Sequence, residues 1–260
     1  MYKVKSHGKG VKEMKYVKNL KRIMILLLTI VIIVGGKTNI YAMNSAQGKN
    51  ESNYLLYENL RQKGVLGADI TYTYWSQLQK EAIILEKKLE NSKEFTKVYD
   101  STQVSRTSSN EYSMKAGDIL ITNATSSSGL TGHAAMAVTA VQILHIEGPG
   151  KIPSTLGLES WHNKYTNENS SSWTKIYRHE DGNVATAAAA WERNTYRGSK
   201  AEYEINMDLA STTKTYCSKM VWQAYYYGPS TPEANGPTVG VRLPYQLPDT
   251  IHDLVLQKTF

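Results

Sequence analysis

At 260 residues and 41% hydrophobic content, the chain is long enough for one large domain or two small ones and has the composition of one that buries a core. Its formal charge of +7 belongs to the leader: residues 1–42 hold nine Lys/Arg against one acid, Glu13, which leaves 21 of 30 basic and 22 of 23 acidic residues, a net −1, to the other 218. No basic stripe remains to follow a phosphate backbone, so no nucleic-acid partner is expected, and a single cysteine, Cys217, excludes an internal disulfide.

The leader has the three parts of a secretory signal: a basic stretch, an apolar run from Ile23 to Val34, and Asn39-Ile40-Tyr41-Ala42, after which cleavage is expected. The apolar run is short of the roughly 20 residues of a spanning helix. A cleaved signal over 1–42 is therefore expected, with a retained membrane anchor as the alternative. The product would be secreted or wall-associated, touching a membrane only through an uncleaved leader. Met43 to Asn53 is polar and small and reads as a flexible start.

Asn53 to Lys63 suits a short helix with Tyr54, Leu55 and Leu56 as its apolar contacts. A stronger helix follows over Tyr74 to Leu89, where Leu78, Ala82, Leu85 and Leu89 recur on one face. Together they make an N-terminal helical segment, 43–104, that packs as an appendage on the domain at 105–260. Asp100 to Asn110 reads as a linker.

Met114 to Thr122 is a turn into an apolar strand, and Asn123 to Gly132 a Ser/Thr/Gly loop. His133 then opens a second apolar run, and Gln142 to Glu147 a third, with a tight turn between them. In that third run His145 and Glu147 share one face and Leu144 and Ile146 the other. One hairpin thus brings His133 beside a carboxylate and a second imidazole. Leu156 to Tyr165 reads as a short amphipathic helix, Trp173 to Tyr177 as a strand, and Asn183 to Arg193 as a helix capped by Asn183 or Asp181. Ser218 to Tyr225 has helical spacing with Thr213 or Thr215 as its cap, so Cys217 sits in the first turn. Unpaired N–H groups and the helix dipole there favour a thiolate. After Gly228 the chain is loop, and Tyr245 to Leu256 returns as a turn or edge strand.

A thiol, an imidazole to carry its proton and a polar group to orient that imidazole are what thiol-dependent acyl chemistry needs. Ala116-Gly117-Asp118-Ile119-Leu120, Gly132-His133-Ala134-Ala135-Met136, Ile143 to Gly148 and Tyr216-Cys217-Ser218-Lys219-Met220-Val221 resemble the circularly permuted NlpC-type papain-like hydrolases, the YiiX/YebB-like group. The resemblance covers about Ala116 to Tyr226. It implies an α+β fold: a small antiparallel sheet packed against the cysteine helix. Amide or ester hydrolysis or acyl transfer, without a cofactor, is the activity it implies. Carried over, Cys217 is the nucleophile, His133 the base and Glu147 the orienting group, with His145, twelve residues after His133, as the alternative. Ala135 replaces the glycine common in that family.

The expected function is an exported cysteine hydrolase cleaving amide bonds of cell-wall peptides through a thioester. Hydrolysis or transfer of a lipid acyl group is the alternative, and a silent binding module is a further class. Zinc on Cys217, His133, His145 and Glu147 has no CxxC or HExxH spacing behind it, and no metal is expected. His162 and His179 lie among polar residues and read as solvated, as does His252. Asp118 reads as a turn cap.

Overall fold

A computed structural model describes residues 39–92, 112–125, 130–166 and 171–260, with side chains from residue 51 onward. Residues up to Tyr54 form one unit and Leu55–Phe260 another. In the first, the described backbone is helical: α1 runs Asn39–Gln62, so the flexible start expected for Met43 to Asn53 is corrected to helix. Helix propagation adds one hydrogen bond per residue once a turn exists, and Ala, Met, Gln and Glu extend it readily. The leader before residue 39 and the linker over 100–110 lie outside the described residues, and among those described no helix is long and apolar enough to cross a membrane.

In the second unit, the apolar contacts expected of α1 are also reversed. Leu55 and Leu56 are exposed, and the residues that bury are Tyr57 and Leu60. Helical spacing could have buried either face, and the aromatic packing decided it: Tyr57 meets Tyr72 edge-on at 5.5 Å and Trp75 at 5.8 Å. Helix α2 (Tyr72–Glu90) starts where Thr71 accepts the Tyr74 N–H at 3.2 Å and buries Trp75, Leu78, Ala82 and Leu89. It docks through Gln246, which donates to Glu81 at 2.5 Å, and through a Lys88 to Asp249 ion pair at 2.7 Å. Its apolar face joins the same cluster as Cys217, Val221 and Leu243.

The architecture is α+β. Strands β1 (Ile119–Thr122), β2 (His133–Ala137), β3 (Ile143–His145), β4 (Ser154–Leu156), β5 (Thr174–His179) and β8 (Leu254–Thr259) form one antiparallel sheet in the order β4-β3-β2-β1-β5-β8. A parallel pair, β6 (Glu202–Tyr203) and β7 (Lys214–Thr215), stands apart. The β2–β3 turn closes by Val138 N–H to Gln142 O at 2.8 Å, where the sequence predicts it.

β1 and β2 are buried along their whole length because both sheet faces are covered. Ile119, Ile121, Ala134 and Met136 face helices α4 (Gly182–Tyr196) and α5 (Cys217–Tyr227), and Leu120, Ala135 and Ala137 face Trp161 and Tyr165 of α3 (Leu158–Tyr165). The chain ends with a 3-10 turn (Pro244–Gln246), a single turn α6 (Leu247–Thr250) and β8 at the sheet edge.

Two glycines set the approach of elements to the sheet. Gly117 has φ +90°, and a Cβ there would lie 2.5 Å from the Ala185 carbonyl of α4. Gly132 has φ +92°, and a Cβ would lie 2.6 Å from the Tyr245 ring, so only glycine lets that ring close over the residue before His133.

Candidate active site

Cys217 opens α5, as expected, but not behind the expected cap. The N-cap is Tyr216, whose side chain makes no capping bond, and the Thr213 and Thr215 expectation is overturned because 214–215 is drawn into strand β7. The Tyr216 hydroxyl instead accepts the Arg242 N–H at 3.0 Å, and Ser218 donates to the Arg242 carbonyl at 2.6 Å. These two bonds hold the 241–244 loop beside the thiol. Lys219, fully buried, donates to the carbonyls of Asp208 at 2.5 Å and Lys214 at 2.7 Å, tying the chain before the helix to its first turn.

Hydrogen bonding at the end of β2 determines what the sulfur meets. Val138 donates toward β3, so Met136 and Ala134, two and four residues back, point their N–H groups the same way. Pairing with β3 stops at Met136 and Leu144, leaving the Ala134 N–H beyond the ladder. Cys217 takes that N–H. Burial pushes the thiol up, against the pull of the backbone N–H groups of Ala134, Ser218 and Cys217 itself. The sequence expectation of a thiolate favoured by the helix start is therefore corrected: at 8% exposure, desolvation outweighs the dipole.

His133 begins the same strand edge, 2% exposed, and its Nε2 lies 2.9 Å from Nδ1 of His145. The rings sit in an aromatic cage: Trp161 stacks on His133 at 5.6 Å, and Tyr165 lies 5.2 Å from His133 and 6.2 Å from His145. Burial holds His133 well below the usual imidazole range, with His145 and Lys164 adding to the effect. Burial and Lys164 bring His145 down to about 4, against a smaller opposite pull from Glu147. Both rings are neutral near pH 7. A neutral His145 Nδ1 can accept the His133 Nε2–H, which leaves His133 Nδ1 as the lone pair for proton transfer.

Glu147 is not the group behind His133. Its side chain is 43% exposed and pairs with Lys164 at 2.8 Å, because the chain leaves the sheet after His145 and turns the carboxylate to solvent. The structure thus brings together Cys217, Ala134, His133 and His145, and sets Glu147 outside them. A direct Cys217 to His133 hydrogen bond is not among the contacts of the described residues. The thiol is held at Ala134, one residue along the strand, and thiol to imidazole distances in a site without substrate tighten when the substrate binds.

Of the remaining histidines, His179 corrects the solvated reading. It is buried and stacks on Tyr225 at 5.9 Å. His162 is half-buried against Phe260 at 4.0 Å, and His252 lies at the surface between Glu233 and Asn235. Asp118 caps its turn through the Lys115 N–H at 2.7 Å and pairs with Arg178 at 2.6 Å. No cluster of three or more His, Cys, Asp or Glu positioned to hold a metal is present among the described residues.

A small pocket open to solvent lies at Cys217, lined by Leu130, Thr131, Tyr203, Ile205, Ser218, Val241, Leu243 and Pro244, with Arg242 at its side. Sequence reasoning missed this wall, whose residues come from three separate segments, and it missed the α3 cage. The signal for the cage was present in Trp161 and Tyr165, four residues apart on one helical face.

Residues 77–259, more than half of the chain, match the family described as lipoprotein N-acylation protein LnsA-like. The chain belongs to that LnsA-like family. The match begins inside α2 and ends at the last strand, so it includes the cysteine helix, the histidine pair and the apolar wall. An uncharacterised 30.3 kDa protein of Bacillus thuringiensis is 41% identical over 147 residues, 54% of this chain. The LnsA-like chain spans about half the length of that relative (54%). Among solved structures, metalloprotein yiiX from Escherichia coli O157:H7 is similar at 13% identity and a TM-score of 0.36, over 56% of this chain and 90% of that one.

Proposed function

We propose that this chain is a cysteine-dependent acyl enzyme that takes a long acyl group from an ester onto Cys217 as a thioester and passes it to an amine. The observation that carries the reading is the apolar wall of the pocket at Cys217. Leu130, Ile205, Val241, Leu243 and Pro244 offer apolar contacts to the carbons of an acyl group beside the thiol, with Thr131, Ser218 and Arg242 as polar groups of the same lining. Membership of a family described by lipoprotein N-acylation supports the same reading. The succession of histidine strand, then cysteine helix, is consistent with a permuted papain-like ancestry.

The chemistry follows from the neutral thiol and imidazole. The sulfur attacks the ester carbonyl carbon as its proton moves to His133 Nδ1, while His145 accepts the Nε2–H and holds the ring. The oxyanion forms beside the Cys217 backbone N–H, at a helix start with no side-chain cap. The C–O bond then breaks, and the departing alcohol takes the proton from His133. In the second half an amine attacks the thioester carbonyl, His133 takes the amine proton, the C–S bond breaks, and that proton returns to the sulfur. Water in place of the amine gives hydrolysis.

The leader's basic stretch and apolar run support action at the outer face of a membrane, where acyl donors reside. Fractionation of full-length protein tests that. For the reaction, purified protein is given p-nitrophenyl esters from butyrate to palmitate, a peptide with a free α-amino group, and cell-wall muropeptides as the competing substrate. Acyl transfer that rises with chain length and vanishes in Cys217→Ala is expected. Muropeptide cleavage without ester turnover would restore the amidase reading.

A further inference from the structure

Several buried phenols in this protein find partners: Tyr57 donates to the Ile70 carbonyl at 2.8 Å, Tyr225 to the Gly117 carbonyl at 2.8 Å, and Tyr216 accepts from Arg242. Tyr245 and Tyr165 do not, and of the two it is Tyr165 whose ring packs against both His133 and His145. Its hydroxyl is buried and makes no hydrogen bond, although its ring is fixed in the cage, 4.5 Å from Trp161 and 5.2 Å from His133. A phenylalanine would fill the same cage without a buried polar group to leave unsatisfied, so the hydroxyl is a liability to the folded state as it stands. Such a group calls for a partner that is absent from the resting protein.

The surroundings say what that partner is. The hydroxyl lies within electrostatic reach of Cys217 and of Glu147, and burial raises its ionisation above the usual phenol range, so it keeps its proton and acts as a donor. Donors are already supplied to the sulfur by Ala134 and to His145 by His133. The acceptor still to come is the carbonyl oxygen of the acyl group bound to Cys217.

We propose that Tyr165 is a catalytic residue whose hydroxyl donates to the oxyanion formed on the acyl carbon at Cys217, acting with the Cys217 backbone N–H. The hydroxyl proton stays on the tyrosine throughout; only the hydrogen bond forms as the C=O bond becomes C–O⁻ and is released as the thioester closes. This role rests on the thioester chemistry given under Proposed function.

The test uses Tyr165→Phe and Cys217→Ala in the full chain with p-nitrophenyl acyl esters. Loss of one oxyanion donor lowers acylation by about 10²-fold. For Tyr165→Phe that loss is expected in kcat, with KM within about twofold. Two further readouts separate this role from a structural one. The melting temperature should be unchanged or higher, because an unsatisfied hydroxyl has been removed. Alkylation of Cys217 by iodoacetamide should proceed at the wild-type rate, because it develops no oxyanion. Acylation at the wild-type rate in Tyr165→Phe overturns the proposal, as does a parallel fall in alkylation, which would make Tyr165 a support for the thiol. Retained turnover in Cys217→Ala, or a wild type inert to every ester, overturns the thioester chemistry itself.

Discussion

Replacing His145 by Ala separates the two candidate orienting groups. The substitution removes the acceptor 2.9 Å from His133 Nε2 and leaves that N–H buried in the cage of Trp161 and Tyr165. A buried donor left unsatisfied costs about 1–3 kcal/mol. At 1.36 kcal/mol per factor of ten, the same energy withdrawn from the oriented imidazole lowers kcat/KM by about 10- to 100-fold. Asn at 145 offers an amide oxygen as acceptor and should recover most of the loss. Glu147→Gln breaks only a half-exposed pair with Lys164 and should change kcat/KM by less than about threefold. Steady-state ester turnover of the three variants, with circular dichroism to establish folding, reads the outcome. A Glu147→Gln loss of 100-fold beside a wild-type His145→Ala would refute the reasoning.

Other consequences follow from the same geometry. Because burial raises the Cys217 thiol, its alkylation rate should keep climbing above the free-thiol range of about 8.5 rather than level off at pH 6 to 7, measured by pH-dependent iodoacetamide labelling. His145 titrates at about 4 when folded and at 6.5 when free, so the unfolded chain binds more protons between these values. Stability is complete above 6.5 and falls as pH drops toward 4, by up to about 3 kcal/mol, and His145→Asn should flatten that part of the melting profile. Lys219→Met leaves the Asp208 and Lys214 carbonyls without their buried donor and should lower stability by about 3 kcal/mol in urea unfolding. Gly132→Ala forces a Cβ into the Tyr245 ring at a positive φ beside His133, and kcat should fall more than stability does.

Much of the frame was legible in residue pattern. The hairpin carrying His133 and His145, the α2 stripe and the helix begun by Cys217 each declare themselves within a dozen residues, because period and turn chemistry are local. What escaped depends on contacts between distant segments. Alternation puts His145 and Glu147 on one face, but where β3 leaves the sheet decides that only His145 stays with His133. The helix start argues for a thiolate, but the depth of burial set by α5 against β2 reverses the balance. Leu55 and Leu56 fit a helical face as well as Tyr57 and Leu60 do, and the Tyr72 and Trp75 rings choose between them. The cavity wall has no sequence pattern because 130, 203–205 and 241–244 meet only in the fold.

The central claim is a thioester on Cys217. Acid-quenched protein mixed with a palmitoyl ester, read by intact mass and peptide mapping, tests it directly. The account predicts one palmitoyl group on the Cys217 peptide, removed by neutral hydroxylamine, transferred on adding amine, and absent from Cys217→Ala. Turnover that proceeds with no adduct on Cys217 would contradict it.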